Sequence, residues 1–238
     1  MSLLKYIVLT AFISMLAACG GGGGGGTPAS PETFQLRQAL ANDFTDVKAY
    51  PFKLTGTSIG LAVTGSGTIT QSAISATTFE GTSARQKVQT TSTSATVAGP
   101  SGPIVVPISA SVETLIVDSA SVPIGYTSAS AYGVPLVPLA IPVTAKVGDT
   151  GTFGTITLFS SSAKSVSAGT LEYTYSLTAD TASTAILSIN STQRTPARAV
   201  VGTQTSSYRI SPAGAITRLA ITGTTNSGGN VTTLTFTF

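Results

Sequence analysis

Tyr173-Thr174-Tyr175-Ser176-Leu177, the reversal Asp180-Thr181-Ala182-Ser183, and Ala185-Ile186-Leu187-Ser188-Ile189 decide the fold of this chain. Tyr173, Tyr175 and Leu177 share one face of the first run; Ala185, Leu187 and Ile189 share one face of the second. Alternating apolar and polar residues mark a strand buried on one side only. The pattern continues to the end of the chain. Tyr208-Arg209-Ile210 leads through Ser211-Pro212-Ala213-Gly214 into residues 216–222, and Asn226-Ser227-Gly228-Gly229-Asn230 reverses into the last strand. Pro and Gly supply the turns. Pairing the last two strands so that Leu219 and Ile221 meet Phe236 and Leu234 gathers apolar groups on one face. It sends Arg209 and Arg218 to solvent. The result is an antiparallel meander.

Upstream, Ile59, Leu61 and Val63 alternate, Gly65-Ser66-Gly67 interrupts, and Ile69 resumes. Gly inside a strand points to a bulge. Residues 84–98 are polar and Thr-rich with few apolar anchors, which predicts an edge strand or one wet on both faces. Residues 112–117 form a short apolar run, predicted to be fully buried. Pro123, Pro135, Pro138 and Pro142 stand among aliphatic residues, Tyr126 and Tyr132. Proline cannot donate to a ladder, so residues 122–143 are expected as an extended flap across the sheet. Ser30-Pro31-Glu32-Thr33 reads as a helix start, with Ser as N-cap and Pro in first position. Phe34, Leu40 and Phe44 would line one face of a helix that ends near Asn42 and covers one end of the sheet. The expected fold class is all-β, an antiparallel meander forming a curved half-barrel or a sandwich, with one short N-terminal helix. Residues 32–238 form the single domain.

Composition narrows the chemistry. Lys and Arg number 12, Asp and Glu 9, and charged residues make up 9% of the chain. Without Lys5 the balance is 11 minus 9, or +2, too weak a basic face to neutralise many phosphates, so no nucleic-acid partner is expected. The 238 residues contain no His and one Cys. Metal sites built on His or Cys, imidazole bases and internal disulfides are thereby excluded.

That Cys stands in a distinctive place. Lys5 precedes the apolar stretch 6–16, which is too short to span a bilayer as a helix and fits the core of an export signal. Leu16-Ala17-Ala18-Cys19 follows, then an unbroken glycine run over residues 20–26. This order resembles the lipobox of bacterial lipoproteins. The resemblance implies removal of signal peptide 1–18, lipidation of Cys19, and attachment to the membrane through its acyl chains (palmitate among them). Each buried methylene contributes about 0.8 kcal/mol, and two or more chains make attachment stable. Gly20 resembles the lipoproteins sorted to the outer membrane. Residues 19–31 would be a tether of lipidated Cys19 and Gly-rich coil, its reach roughly 20 Å. The whole chain is similar to proteobacterial lipoproteins with a glycine tether and a Thr-rich β-domain, a likeness that carries no chemistry.

Fragments that resemble catalytic motifs lack their context. Residues 115–120 and 147–152 resemble the aspartic-protease loop around Asp118 and Asp149, but Ala120 replaces the required Gly and Gly148 an apolar residue. Ser161-Ser162-Ala163-Lys164 matches the Ser-x-x-Lys of penicillin-interactive enzymes, yet no Lys-Thr-Gly follows it. Glu172 and Asp180 share one strand, roughly 27 Å apart, too far to cooperate in glycoside hydrolysis. Asp43 and Asp46 are read as a solvated helix terminus. No catalytic residue, metal ligand or cofactor site is expected, and the protein is not expected to be an enzyme.

Residues 230–238 alternate and end in Phe238, which resembles the assembly signal of outer-membrane barrels. The chain has no Trp and its Tyr and Phe residues form no girdles, so the last strand of a soluble sheet is the preferred reading. The expectation is therefore a lipid-anchored outer-membrane protein on the periplasmic or cell-surface face. Its domain would be structural or interacting, with an envelope protein as partner. The alternatives are a carrier that encloses an apolar ligand near Tyr173, Tyr175, Leu187 and Phe236, and a small transmembrane β-barrel.

Overall fold

A computed structural model of the chain describes residues 30–238, without the side chains of 107–110. Residues 1–18, on which the export-signal expectation falls, Cys19 and the glycine run lie outside the described residues. In chain order the elements are β1 (Thr33–Phe34), α1 (Leu36–Thr45), β2 (Ala49–Ser58), β3 (Leu61–Gln71), β4 (Ser75–Phe79), β5 (Thr82–Gly99), β6 (Gly102–Val117), β7 (Pro123–Ser128), β8 (Tyr132–Pro135), β9 (Ala145–Lys146), β10 (Thr150–Phe159), β11 (Ser167–Ala179), β12 (Ala185–Arg194), β13 (Val200–Ile210), β14 (Ile216–Ser227) and β15 (Asn230–Thr237).

The predicted meander is present and antiparallel throughout, but it is neither a half-barrel nor a sandwich. The sheet closes into a barrel of 12 strands. β15 pairs with β2, Thr232 opposite Ser58 and Thr237 opposite Lys53, and β3 pairs with β5 from Val63–Val97 to Gln71–Gln89. Closure removes the free edges that a half-barrel would leave as templates for other chains. β4 stands outside the ring as a short hairpin partner of β5.

A ring this wide cannot be filled by wall side chains alone. The chain therefore sends segments into one end. Phe34, Leu36 and Ala39, at or beside α1, are fully buried with Leu139 and Ile141 in the largest apolar cluster. Arg37 donates to the Ile141 carbonyl from Nε (3.2 Å) and Nη2 (2.5 Å), and Asn42 Nδ2 donates to the Gly214 carbonyl at 2.8 Å. The helix is thus wedged between the 136–144 strap and the β13–β14 turn. A Cβ at Gly214, whose φ is +83°, would lie 3.0 Å from Gln38.

The helix starts later than the Ser-Pro signal predicts. Ser30 and Pro31 are not helical, Thr33 and Phe34 pair with Lys146 and Ala145, and Gln35 is the N-cap without a side-chain bond. Burying Phe34 in an extended backbone outweighs the local cap. The flap is also corrected in part: residues 123–128 and 132–135 are wall strands, and only 136–144 crosses the end.

Inside and outside alternate cleanly on most strands. On β11, Leu171, Tyr173, Tyr175 and Leu177 are buried while Thr170, Glu172, Thr174 and Ser176 are not. Threonines meet across the outer wall, Thr222 with Thr235 and Thr224 with Thr233, each pair 3.0 Å apart. A second apolar cluster joins Phe52, Leu54, Val63, Ile69, Ile221 and Leu234. A third lies on the outer face, where Phe79 covers Ile116 and Gly125; a Cβ at Gly125 would fall 2.3 Å from the Phe79 ring.

Three further expectations are overturned. The 84–98 run is a central strand paired on both sides, and Lys87, Gln89 and Thr91 are buried inside the barrel. The 112–117 run alternates: Val112 is 51% exposed, whereas Glu113 and Val117 are buried. Arg209 does reach solvent, but Arg218 is buried. A register shift between Ser207 and Tyr208 puts an extra residue into β14, so Arg218 and Ile221 both face inward though three apart.

Candidate functional site

The chemistry of the described residues gathers inside the barrel, under α1. Asp43, at the last turn of the helix, is buried, and its two oxygens accept from Arg218 Nη2 at 3.1 and 3.2 Å. The guanidinium lies over three rings, with Tyr50 at 4.6 Å, Phe238 at 5.7 Å and Tyr208 at 5.8 Å from its central carbon. Burial works against the Arg218 charge, yet the Asp43 carboxylate beside it leaves its pKa raised above the ordinary value. A buried pair of this kind is costly to break, because the surviving charge has no water to return to.

Lys87 enters from β5, four strands round the ring from β14. Its ammonium donates to the Asp43 carbonyl at 3.1 Å, to Gln71 Oε1 at 2.8 Å, and to the Asp46 carbonyl. The last carbonyls of a helix carry its negative dipole end, so a cation there is favoured. Burial still pushes the Lys87 pKa down to about 8, with Asp43 and Asp46 holding it up in part. Two wall strands on different sides of the ring are thereby tied to the plug through charge.

Beneath the plug lies a cavity of about 80 Å³. Leu40 and Phe44 of α1 and Leu139 and Ile141 of the strap cover it; Ile156, Ile189, Tyr126, Tyr173 and Tyr208 belong to its walls. The Tyr126 hydroxyl donates to Glu113 Oε1 at 3.4 Å, while the buried Tyr173 hydroxyl has no hydrogen-bond partner. Burial pushes both phenols well above their ordinary pKa, and Tyr208 to about 12, so all three stay protonated at neutral pH.

The motif fragments have structural tasks. Asp118 Oδ1 accepts from the backbone N–H of Ala120 (2.8 Å) and Val122 (2.9 Å), closing the β6–β7 turn. Asp149 Oδ2 accepts from the Lys146 N–H at 2.8 Å in the β9–β10 turn. Ser161 and Lys164 lie in the β10–β11 loop, the Ser161 carbonyl accepting from the Lys164 N–H at 3.1 Å, and the Lys164 ammonium pairs with Glu80. Glu172 faces Arg194 at 3.9 Å on the outer wall, and Asp180 takes two bonds from Arg209. Asp43 and Asp46 are not a solvated pair: Asp43 is inside with Arg218, while Asp46 accepts from the Tyr50 hydroxyl at 2.7 Å. Tyr173, Tyr175 and Leu187 share the largest cluster, whereas Phe236 packs against the second one.

Sequence reasoning missed Lys87, Glu113 and Arg218 as interior residues. The available signal was a single charge inside an otherwise β-patterned run, as Glu113 stands between Val112 and Leu115. Among the described residues no group of three or more His, Cys, Asp and Glu gathers, and no helix is long and apolar enough to cross a membrane. No family model, curated protein or solved structure matches this chain.

Proposed function

We propose that this protein is a lipid-anchored, water-facing β-barrel of the bacterial outer membrane, held through Cys19 and serving as a non-enzymatic structural or interaction domain. One observation carries the reading: the outer faces of the barrel strands are lined mostly with Thr and Ser, while apolar residues pack into two interior clusters beside buried polar groups such as Lys87, Glu113 and Arg218. A barrel that crosses lipid carries an apolar band around its outer wall instead. A wall like this one supports attachment by an anchor rather than by insertion, and the lipobox at 16–19 supplies one.

The place where the chain enters gives the anchor an orientation. Ser30 leads into β1 and α1 at the plugged end of the barrel, so a tether running back to Cys19 leaves from that end. The loops at the other end, 59–60, 100–101, 160–166 and 195–199, then project away from the leaflet toward a partner. The small cavity beneath α1 supports interaction over carriage of a long apolar ligand, since pockets for such ligands run to roughly 300 Å³ or more. The test is fractionation of cells that express the protein and its Cys19→Ala variant. The wild type is expected in the outer-membrane fraction, accessible to detergent-phase extraction, and the variant as a soluble protein. Membrane retention of Cys19→Ala refutes the anchor.

A further inference from the structure

We propose that the cavity beneath α1 is a binding site for a small molecule with an apolar body and one hydrogen-bond-accepting oxygen, such as a short ketone, with Tyr173 as its donor. The inference does not depend on the anchor. It starts from a mismatch within the site. The cavity is covered and walled mainly by Leu, Ile and Phe, yet the hydroxyl of Tyr173, one of its lining residues, is buried without a hydrogen-bond partner. Leaving a buried hydroxyl unsatisfied is costly, and native interiors avoid it unless something comes to complete it.

Water fits this wall less well than an apolar molecule does. An ordered buried water takes two to four polar partners. Eight of the 15 lining residues are Leu, Ile or Phe, so most of the wall offers a water nothing to bond, while Tyr126 already donates to Glu113 and the Asp43 carboxylate is held by Arg218. A mostly apolar wall with one hydroxyl left unpartnered, that of Tyr173, matches an apolar body that carries one accepting oxygen. The size is set by the volume. A dry cavity of about 150 Å³ accepts benzene. On the same scale about 80 Å³ holds three or four non-hydrogen atoms, the size of acetone. The strap offers a way in, since Leu136 and Val137 beside the buried Leu139 are exposed and 136–144 contributes no strand to the wall.

Acetone titrated into the ¹⁵N-labelled protein is the direct test, followed by amide shifts in two-dimensional NMR. The expected result is saturable shifts confined to residues around Tyr126, Tyr173, Phe44 and Leu139. The dissociation constant should be on the order of millimolar, given how little affinity a ligand of this size can carry. Tyr173→Phe keeps the shape and removes the donor, and is expected to weaken binding about tenfold, the usual worth of one hydrogen bond. Leu139→Phe fills the space and is expected to abolish the saturable shifts. Non-saturating or scattered shifts in the wild type overturn the site, as does wild-type binding by folded Leu139→Phe. Unchanged affinity in Tyr173→Phe overturns the role of its hydroxyl, and that arm decides even if Leu139→Phe fails to fold.

Discussion

Replacing Arg218 by Met would test whether charge holds the plug in the barrel. Asp43 would remain buried, 8% exposed, with its two bonds at 3.1 and 3.2 Å gone. Removing one partner of a buried pair costs about 3–5 kcal/mol. The lost stacking over Tyr50, Tyr208 and Phe238 places the expected value in the upper half of that range. At about 2–4 °C per kcal/mol for a domain of this size, the melting temperature should fall by roughly 10–15 °C. Asp43→Leu should cost less, since Arg218 keeps three aromatic faces. The double variant Asp43→Leu/Arg218→Met should recover most of the loss, because an apolar pair of similar volume replaces the charges. Urea unfolding followed by far-UV circular dichroism and tyrosine fluorescence reads these values cleanly, as the chain contains no Trp. A loss below about 1 kcal/mol for Arg218→Met, or a double variant that costs the sum of the singles, would refute the coupling.

Stability should depend on pH in a way set by Lys87 and the buried tyrosines. The folded Lys87 releases its proton near pH 8 and the unfolded one near 10.5, so between those values the unfolded chain binds more protons and stability rises with pH, by up to roughly 3 kcal/mol. Above pH 10 the sign reverses, because unfolded tyrosines ionise while Tyr126, Tyr173 and Tyr208 stay protonated. Unfolding curves taken from pH 7 to 11 should therefore pass through a maximum near pH 10, and Lys87→Met should flatten the rising limb. Gly125→Ala should destabilise by about 1–3 kcal/mol, since its Cβ would meet the Phe79 ring at 2.3 Å, and Phe79→Ala in the same chain should make that substitution nearly silent in a thermal melt. Leu187→Ala, at a fully buried position, should cost about 2–5 kcal/mol, while Leu136→Ala, 79% exposed, should stay within about 0.5 kcal/mol; equal effects would contradict the assignment of inside and outside.

Strand type and neighbour order were legible in the sequence because both are local. Alternation at Tyr173–Leu177 and Ala185–Ile189 gives the buried face directly, and turns such as Ser211–Gly214 join neighbours that do pair. Closure was not legible, since it depends on β15 meeting β2 and β3 meeting β5, long-range pairings that no local pattern encodes. The polar interior escaped for a related reason. Lys87 and Gln89 face inward on a strand that carries Thr on its other face, so β5 shows no apolar stripe. Arg218 was assigned to solvent because strict alternation was carried through a bulge that shifts the register by one residue. The helix start failed where tertiary pairing of Phe34 with Ala145 overrode a good local cap.

The most direct measurement of the central claim is the intact mass of the protein extracted from outer membranes, with its N-terminal peptide sequenced by tandem mass spectrometry. The expected product is a chain that begins at Cys19 and carries a thioether-linked diacylglycerol and an amide-linked acyl chain. A mature N-terminus elsewhere, or a Cys19 with a bare thiol, contradicts it.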